Sequence, residues 1–404
     1  MTPTRISLHD LAIRRDRDEW IVGRMDTGDV VAVPSEGMRV VRLLQEGVTV
    51  PEVERRISAE TGLRLDVRGF VDGLVRAGLV AAVDGRPVET PAPPRPTLPR
   101  LLPRHVRWTL NPLLHGALIL VILAGLAAAV LRPGAVPGWR DLLWSGLGTP
   151  VLLTQIAIGW LLIVLHECGH LCTARAAGVP GRIMLGTRLQ FLAAQTEVSG
   201  VWLAERRVRM TVYLSGMALD ATLCAACLLL IVWLGPHPAL SVTVLTTLIM
   251  LSGQFLVFMR TDLYFVLQDV TRCRNLYGDA GAYLRYVCLR ALLRRPADPL
   301  ARLPRAEARW VRAYTALLVP GTALSLAVAA AVTLPATLSL LARAVREVLD
   351  RHDGVTSADG AVVIAVVAGF QGLWVRTWWR RHGLRVRNAA RSLRRSRDPD
   401  ACLR

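Results

Sequence analysis

The stretch that decides the fold is VLLTQIAIGWLLIVLHECGHLC, Val151 to Cys172. A helix needs about 20 mostly apolar residues to cross a bilayer. This run supplies them, with Glu167 as its one acid. Its last turns carry His166, Glu167 and His170, and ionisable groups at membrane depth mark a functional site by default. The fold is therefore expected to be mainly α and membrane-embedded, with chemistry on the same helix.

Working outward, further apolar runs lie at Leu113–Leu131, Val212–Leu234, Leu240–Met259, Tyr314–Leu341 and Ala361–Val375. The last is short enough for a re-entrant or interfacial helix. Tyr314–Leu341 is long and holds Pro320 and Pro335, so a tilt or kink is expected there. Across 404 residues, 52% are hydrophobic and the formal charge is +18. The mean hydropathy is +0.38. That combination excludes a disordered chain, which is poor in apolar residues. Every basic residue is arginine, which excludes lysine Schiff-base chemistry and suggests a GC-rich coding genome. The seven cysteines are scattered and do not form a secreted disulfide framework. No basic-then-apolar signal peptide opens the sequence.

Arginine placement orients the spans, because basic loops stay cytoplasmic. The segments before Leu113, after Cys172, after Met259 and after Val375 are arginine-rich, while Gly235–Ala239 has no charge. Six spans with both termini in the cytoplasm satisfy every loop. The excess charge is then a topology signal, and nucleic acid is not an expected partner.

His166-Glu167-Cys168-Gly169-His170 is an H-E-x-x-H pattern. Four residues is just over one helical turn, so the two histidines share a face and can hold one metal. Imidazole suits zinc, and a catalytic zinc site keeps a position for water. Glu167 can accept that water's proton and pass it to a leaving amine. A third ligand is required. Asp262, in FMRTDLYFVLQD, lies at a compatible depth. Asp269 comes next, seven residues on. Asp220, in YLSGMALDATL, is favoured for a supporting role. Cys168 and Cys172 point to other faces. Cys224 and Cys227 form a C-x-x-C that reads as small-residue packing. Between the second and third spans, Arg182–Leu203 alternates short apolar residues with glycines. It reads as a β-hairpin or small sheet whose edge can hold an extended substrate, or as a packing loop.

Residues 1–85 hold 12 Arg against 14 Asp and Glu. Glu19–Met25 and Val30–Val33 flank a hairpin turn at Asp26-Thr27-Gly28-Asp29. A helix is expected at Ser35–Gln45. A second opens with a Thr49/Glu52 capping box. A third is capped by Asp66 and ended by Gly78, and the strand Leu79–Val83 follows. This is a small α+β winged helix, joined by the Pro-rich linker 86–107 to a membrane domain at 108–404.

Two resemblances follow from these residues. His166 to His170 resembles the H-E-x-G-H motif of the site-2 protease family of intramembrane zinc metalloproteases. Gly216 to Asp220 is similar to its G-x-x-x-N motif, and Asp262 falls where its third motif supplies a ligand. Asp262, Tyr264, Phe265 and Asp269, with Thr196 to Trp202, resemble a bacterial branch, the peptide zinc metalloproteases. That implies Zn²⁺ on His166, His170 and Asp262, catalysis by Glu167, and a multi-pass protein of the bacterial inner (plasma) membrane. The order of elements in 1–85 resembles PqqD-like domains, which bind leader peptides of modified peptides; Asp29 to Pro34, Leu43 to Val53 and Phe70 to Val80 carry the likeness. The expected partners are the lipid bilayer and a peptide or membrane-protein substrate, including leader-bearing precursors. The rival expectation is a non-catalytic membrane scaffold or export partner in peptide maturation.

Overall fold

The computed structural model describes residues 4–16, 19–62, 65–90, 92–93, 95–145, 148–188, 191–292, 296–349 and 354–397. Pro91 and Pro94 of the linker and residues 398–404 of the basic tail lie outside them. The chain divides into two compact units. One comprises Met1–Ala117, Glu167–Ile183 and Thr196–Gly216; the other comprises Leu118–His166, Met184–Gln195 and Met217–Arg404.

The first unit opens with β1 (Ile6–Leu8), β2 (Ala12–Asp16), β3 (Glu19–Gly23) and β4 (Val30–Val33). Helices α1 (Ser35–Gln45), α2 (Val50–Thr61) and α3 (Val67–Arg76) follow, then β5 (Val80–Val83) and β6 (Arg86–Pro87). The hairpin β3–β4 is antiparallel with Trp20 opposite Val33, and Gly28 takes φ +76° in its turn. Glycine suits that left-handed position because it has no Cβ to clash. Three strands escaped the sequence reading: β2 pairs with β3, β1 pairs with β5 across more than seventy residues of chain, and β6, at the start of the expected linker, pairs with β5. The sheets are ordered β2-β3-β4 and β1-β5-β6.

The apolar faces of the helices make one core. Met38, Val41 and Leu44 of α1 meet Val53 and Ile57 of α2, Val71 and Leu74 of α3, and Val22, Val33 and Val80 of the strands. Asp66 caps α3 by accepting from the Gly69 amide at 2.8 Å. Thr49 stands at the N-cap of α2 but makes no side-chain cap bond. The expected capping box is absent there because Glu52 instead pairs with Arg55 and Arg56. The linker is anchored: the Thr97 amide donates to the Gly181 carbonyl, and the Thr97 hydroxyl accepts from the Ile183 amide. A short helix α4 (Pro103–Val106) comes next.

The remaining elements are α5 (Pro112–Leu131), α6 (Gly148–Ala176), the two-stranded sheet of β7 (Arg182–Arg188) and β8 (Phe191–Glu197), α7 (Arg206–Leu234), α8 (Pro238–Gln254), α9 (Asp262–Val270), α10 (Leu276–Ala291), α11 (Arg305–Val328), α12 (Leu334–Leu349) and α13 (Gly354–Arg397). Among the described residues, five helices are long and apolar enough to cross a membrane: α5, α6, α7, Arg305–Ala331 and Gly354–Arg380. This is a mainly helical membrane protein.

Two expectations are corrected. The fourth span, expected over Leu240–Met259, is a helix of 17 residues ending at Gln254. The chain leaves the helix although Phe255 to Met259 remain apolar, passes through a 3₁₀ turn at Val257–Met259, and reverses at Arg260 with φ +58°. Five helices rather than six therefore meet the length of a span. The last candidate, expected to be short, is part of a 44-residue helix. It packs on α12 so closely that a Cβ at Gly360 would stand 2.6 Å from the Ala344 carbonyl oxygen. The long run beyond Tyr314 is interrupted by a π-helical turn at Ala329–Thr333, just before Pro335. Proline lacks an N–H and clashes with the preceding turn, and a widened turn accommodates it.

Candidate metal centre

The site begins on α6. His166, Glu167 and His170 are all buried near its C-terminal end, at 5%, 7% and 6% exposure. Gly169 lies among them for a steric reason. A Cβ there would stand 3.2 Å from the Ser215 carbonyl oxygen and 3.3 Å from the Gly216 nitrogen. Glycine thus lets α6 and α7 approach backbone to backbone.

That approach supplies partners to both imidazoles. His170 Nδ1 donates to the Val212 carbonyl at 2.7 Å, which assigns the lone pair to Nε2. The Ser215 hydroxyl donates to the same carbonyl at 2.8 Å. Two turns further along α7, Asp220 Oδ2 lies 2.7 Å from His166 Nδ1. A carboxylate on the far nitrogen of a ligating histidine fixes its tautomer and raises its basicity. Asp220 is fully buried, and its other oxygen has no hydrogen-bond partner among the described residues.

Asp262 is the first residue of α9. Its amide donates to Gln254 Oε1 at 3.0 Å, and the Thr261 hydroxyl donates to the Gln254 carbonyl at 2.6 Å. The break after α8 therefore has a function in the geometry: it turns Asp262 toward His166, whose Nε2 lies 2.9 Å from Asp262 Oδ2. Two ligands on a tetrahedral zinc with bonds of about 2.0–2.1 Å stand about 3.3 Å apart. One ligand atom each from His166, His170 and Asp262 lies within 4.8 Å of the others, so this group can hold a metal ion.

The donor set fits zinc. Two imidazoles and a carboxylate are ligands it takes readily, and three protein ligands leave a fourth position. Asp220 and Asp262 each bring a carboxyl group within hydrogen-bond distance of a ring nitrogen of His166. Buried charge of one sign is costly unless paired or metal-bound, and a dication supplies the counter-charge.

Asp269 is buried on α9 and is not part of the group. Cys224 lies in an apolar cluster with Leu228, Ile231 and Val244, with Cys227 packed against it. Sequence reasoning gave no role to Thr196, Val212 or Gln254. The Thr196 hydroxyl, on β8, donates to Glu167 Oε2 at 2.7 Å. Val212 acts through its backbone, which leaves no signal in residue type. Arg260, two residues before Asp262, stacks its guanidinium over Tyr264 and Tyr277 at 5.9 and 5.3 Å. No protein-family model, curated protein or solved structure matches this chain.

Proposed function

We propose that the chain is a membrane-embedded zinc metallopeptidase of the site-2 protease type. It would hydrolyse a peptide bond in a precursor or leader-bearing peptide that the N-terminal module recruits. The observation carrying the reading is the convergence of His166, His170 and Asp262, with Asp220 behind His166 and Glu167 on the same helical turn.

In this reading His166, His170 and Asp262 hold the zinc, and Asp220 orients His166. Bound zinc supplies Lewis-acid polarisation of a carbonyl and acidifies a water. Glu167 would accept the proton of the attacking water and return it to the departing amine. The Thr196 hydroxyl holds one oxygen of Glu167, so the other is the one presented to the proton. The apolar helices restrict water, which strengthens each of these interactions. The module is read as a PqqD-like winged helix. Three helices with short strands, and a charge close to neutral, suit a peptide better than a phosphate backbone. Its place is the bacterial inner membrane with both termini cytoplasmic, as the arginine distribution implies.

The test is cleavage of a candidate precursor peptide by the full chain in detergent or vesicles. Wild type cuts in a zinc-dependent manner. Glu167→Gln keeps the metal and loses cleavage by about 10²–10⁴-fold, the usual worth of a general base. Retained turnover in Glu167→Gln removes Glu167 from the mechanism. A wild type that binds the peptide and never cuts it leaves the scaffold reading in place.

A further inference from the structure

Thr196 lies four residues before Gly200, and Gly200 is one of the points where the N-terminal module touches the rest of its unit. A Cβ on Gly200 would fall on the Met25 carbonyl oxygen, and one on Gly28 would fall on the Ser199 Cβ. The turn between β3 and β4 therefore seats directly on Ser199 and Gly200. Beside it, Arg14 of β2 donates from Nε to the Trp202 carbonyl at 3.2 Å. From the other side, Arg209 stacks over the Trp202 ring at 5.9 Å and donates to the Ala204 carbonyl at 2.9 Å. Ser199–Leu203 is a 3₁₀ turn clamped between these groups.

The turn is stiff on the module's side as well. Arg24 forms a two-pronged pair with Asp26, at 3.0 and 2.7 Å, and its remaining nitrogen donates to the Gly78 carbonyl at 3.3 Å. The Arg24 amide also donates to the Asp29 carbonyl at 2.9 Å. A continuous path thus runs from the corner between α3 and β5, through Arg24 and the turn, to Ser199 and Gly200. It continues along a few residues of chain to Thr196, and ends on the Glu167 carboxylate. Every residue on it belongs to the first unit.

We propose that Thr196 is a positioning residue for Glu167, and that the N-terminal module sets Thr196 through its β3–β4 turn. The module is then part of the machinery that places the base, beyond recruiting a peptide. This rests on the proposed function for the role of Glu167, while the mechanical link stands on the contacts alone. The hydroxyl has one proton to give, and the carboxylate oxygen at 2.7 Å takes it in preference to the Glu167 carbonyl at 3.2 Å. Losing it frees the carboxylate to rotate without altering any metal ligand. The same loss follows when the clamp on 199–202 is undone, because Thr196 then no longer has a fixed strand beneath it. A module that shifts on taking up a peptide would report occupancy to the base along this path.

The experiment uses the full chain with two readouts, amide hydrogen exchange over residues 191–204 and steady-state cleavage. The variants are Thr196→Val, Thr196→Ser, Gly200→Val and the milder Arg14→Ala, which removes the bond to Trp202 together with the ion pair to Asp16. The expected result is faster exchange over 196–203 in Gly200→Val and Arg14→Ala. Zinc content is unchanged, KM stays within about twofold, and kcat falls about tenfold or more in Thr196→Val and Gly200→Val, the worth of a bond to a charged group. Thr196→Ser retains the hydroxyl and the rate. The double variant Thr196→Val/Gly200→Val is no slower than the worse single one, because both break one path. Unchanged exchange in Gly200→Val and Arg14→Ala overturns the link. So does faster exchange with wild-type kcat, or multiplicative losses in the double variant. A wild type that holds no zinc and cuts nothing refutes the proposed function instead, and the exchange readout then still decides the mechanical link.

Discussion

Replacing Asp220 with asparagine keeps the size of the side chain and removes its charge. Asp220 Oδ2 accepts from His166 Nδ1 at 2.7 Å in a position with no solvent exposure. A hydrogen bond to a charged group is worth about 1.5–3 kcal/mol and a neutral one about 0.5–1.5 kcal/mol. Asparagine can still accept from Nδ1, so the change removes about 1–1.5 kcal/mol of support for the tautomer that binds metal. That is about a 5–15-fold loss of zinc affinity. Alanine removes the acceptor as well, and the loss should reach about 10–100-fold, the usual worth of an outer carboxylate behind a ligating histidine. The assay is equilibrium competition for zinc between the detergent-purified protein and a chromophoric chelator. The order of affinity should be wild type, Asp220→Asn, Asp220→Ala. Wild-type affinity in both variants would refute the reasoning, because a bond of this kind cannot be removed from a ligating imidazole without cost.

Gly169→Val puts branched carbons where a single Cβ already stands 3.2 Å from the Ser215 carbonyl. Overpacking costs about 1–3 kcal/mol, so thermal unfolding should move down and zinc binding weaken, with Gly169→Ala milder on both counts; equal behaviour of the two would deny the close approach of α6 and α7. In the N-terminal module, the hydrogen bonds from Arg24 hold the Asp26 carboxyl below the usual carboxylate range. The stability this lends is present above the unfolded carboxyl pKa of about 3.9 and is lost as pH falls through the depressed folded value. Exchange protection of the β3–β4 turn should therefore drop at the acid end of a pH series in wild type, while Asp26→Asn, already weakened near neutrality, shows a flatter response.

What the sequence made legible follows the physics of each part. A membrane helix is written in one long apolar run, and a metal-binding pair in the pitch of a helix. The positions of α5, α6 and α7 and the shared face of His166 and His170 could therefore be read directly. Asp262 was reachable through its depth and through the motif resemblance. The break that aims it was not, because Phe255 to Met259 stay apolar while the backbone leaves the helix, and hydropathy does not register a left-handed Arg260. Strand β1 was hidden for a different reason. Its partner β5 is distant in sequence, and three residues are too few to show alternation. The hold of Thr196 on Glu167 and of Val212 on His170 depends on which backbones come close, and Gly169 gave the local hint of that.

The account turns on whether His166, His170 and Asp262 hold an ion together. The most direct measurement is zinc content of the purified full chain, wild type beside His166→Ala, Asp262→Ala and Asp269→Ala. The account predicts one zinc per chain in wild type and in Asp269→Ala, and none in the other two variants. Zinc retained by Asp262→Ala, or no zinc in folded wild type after the metal is supplied, would contradict it.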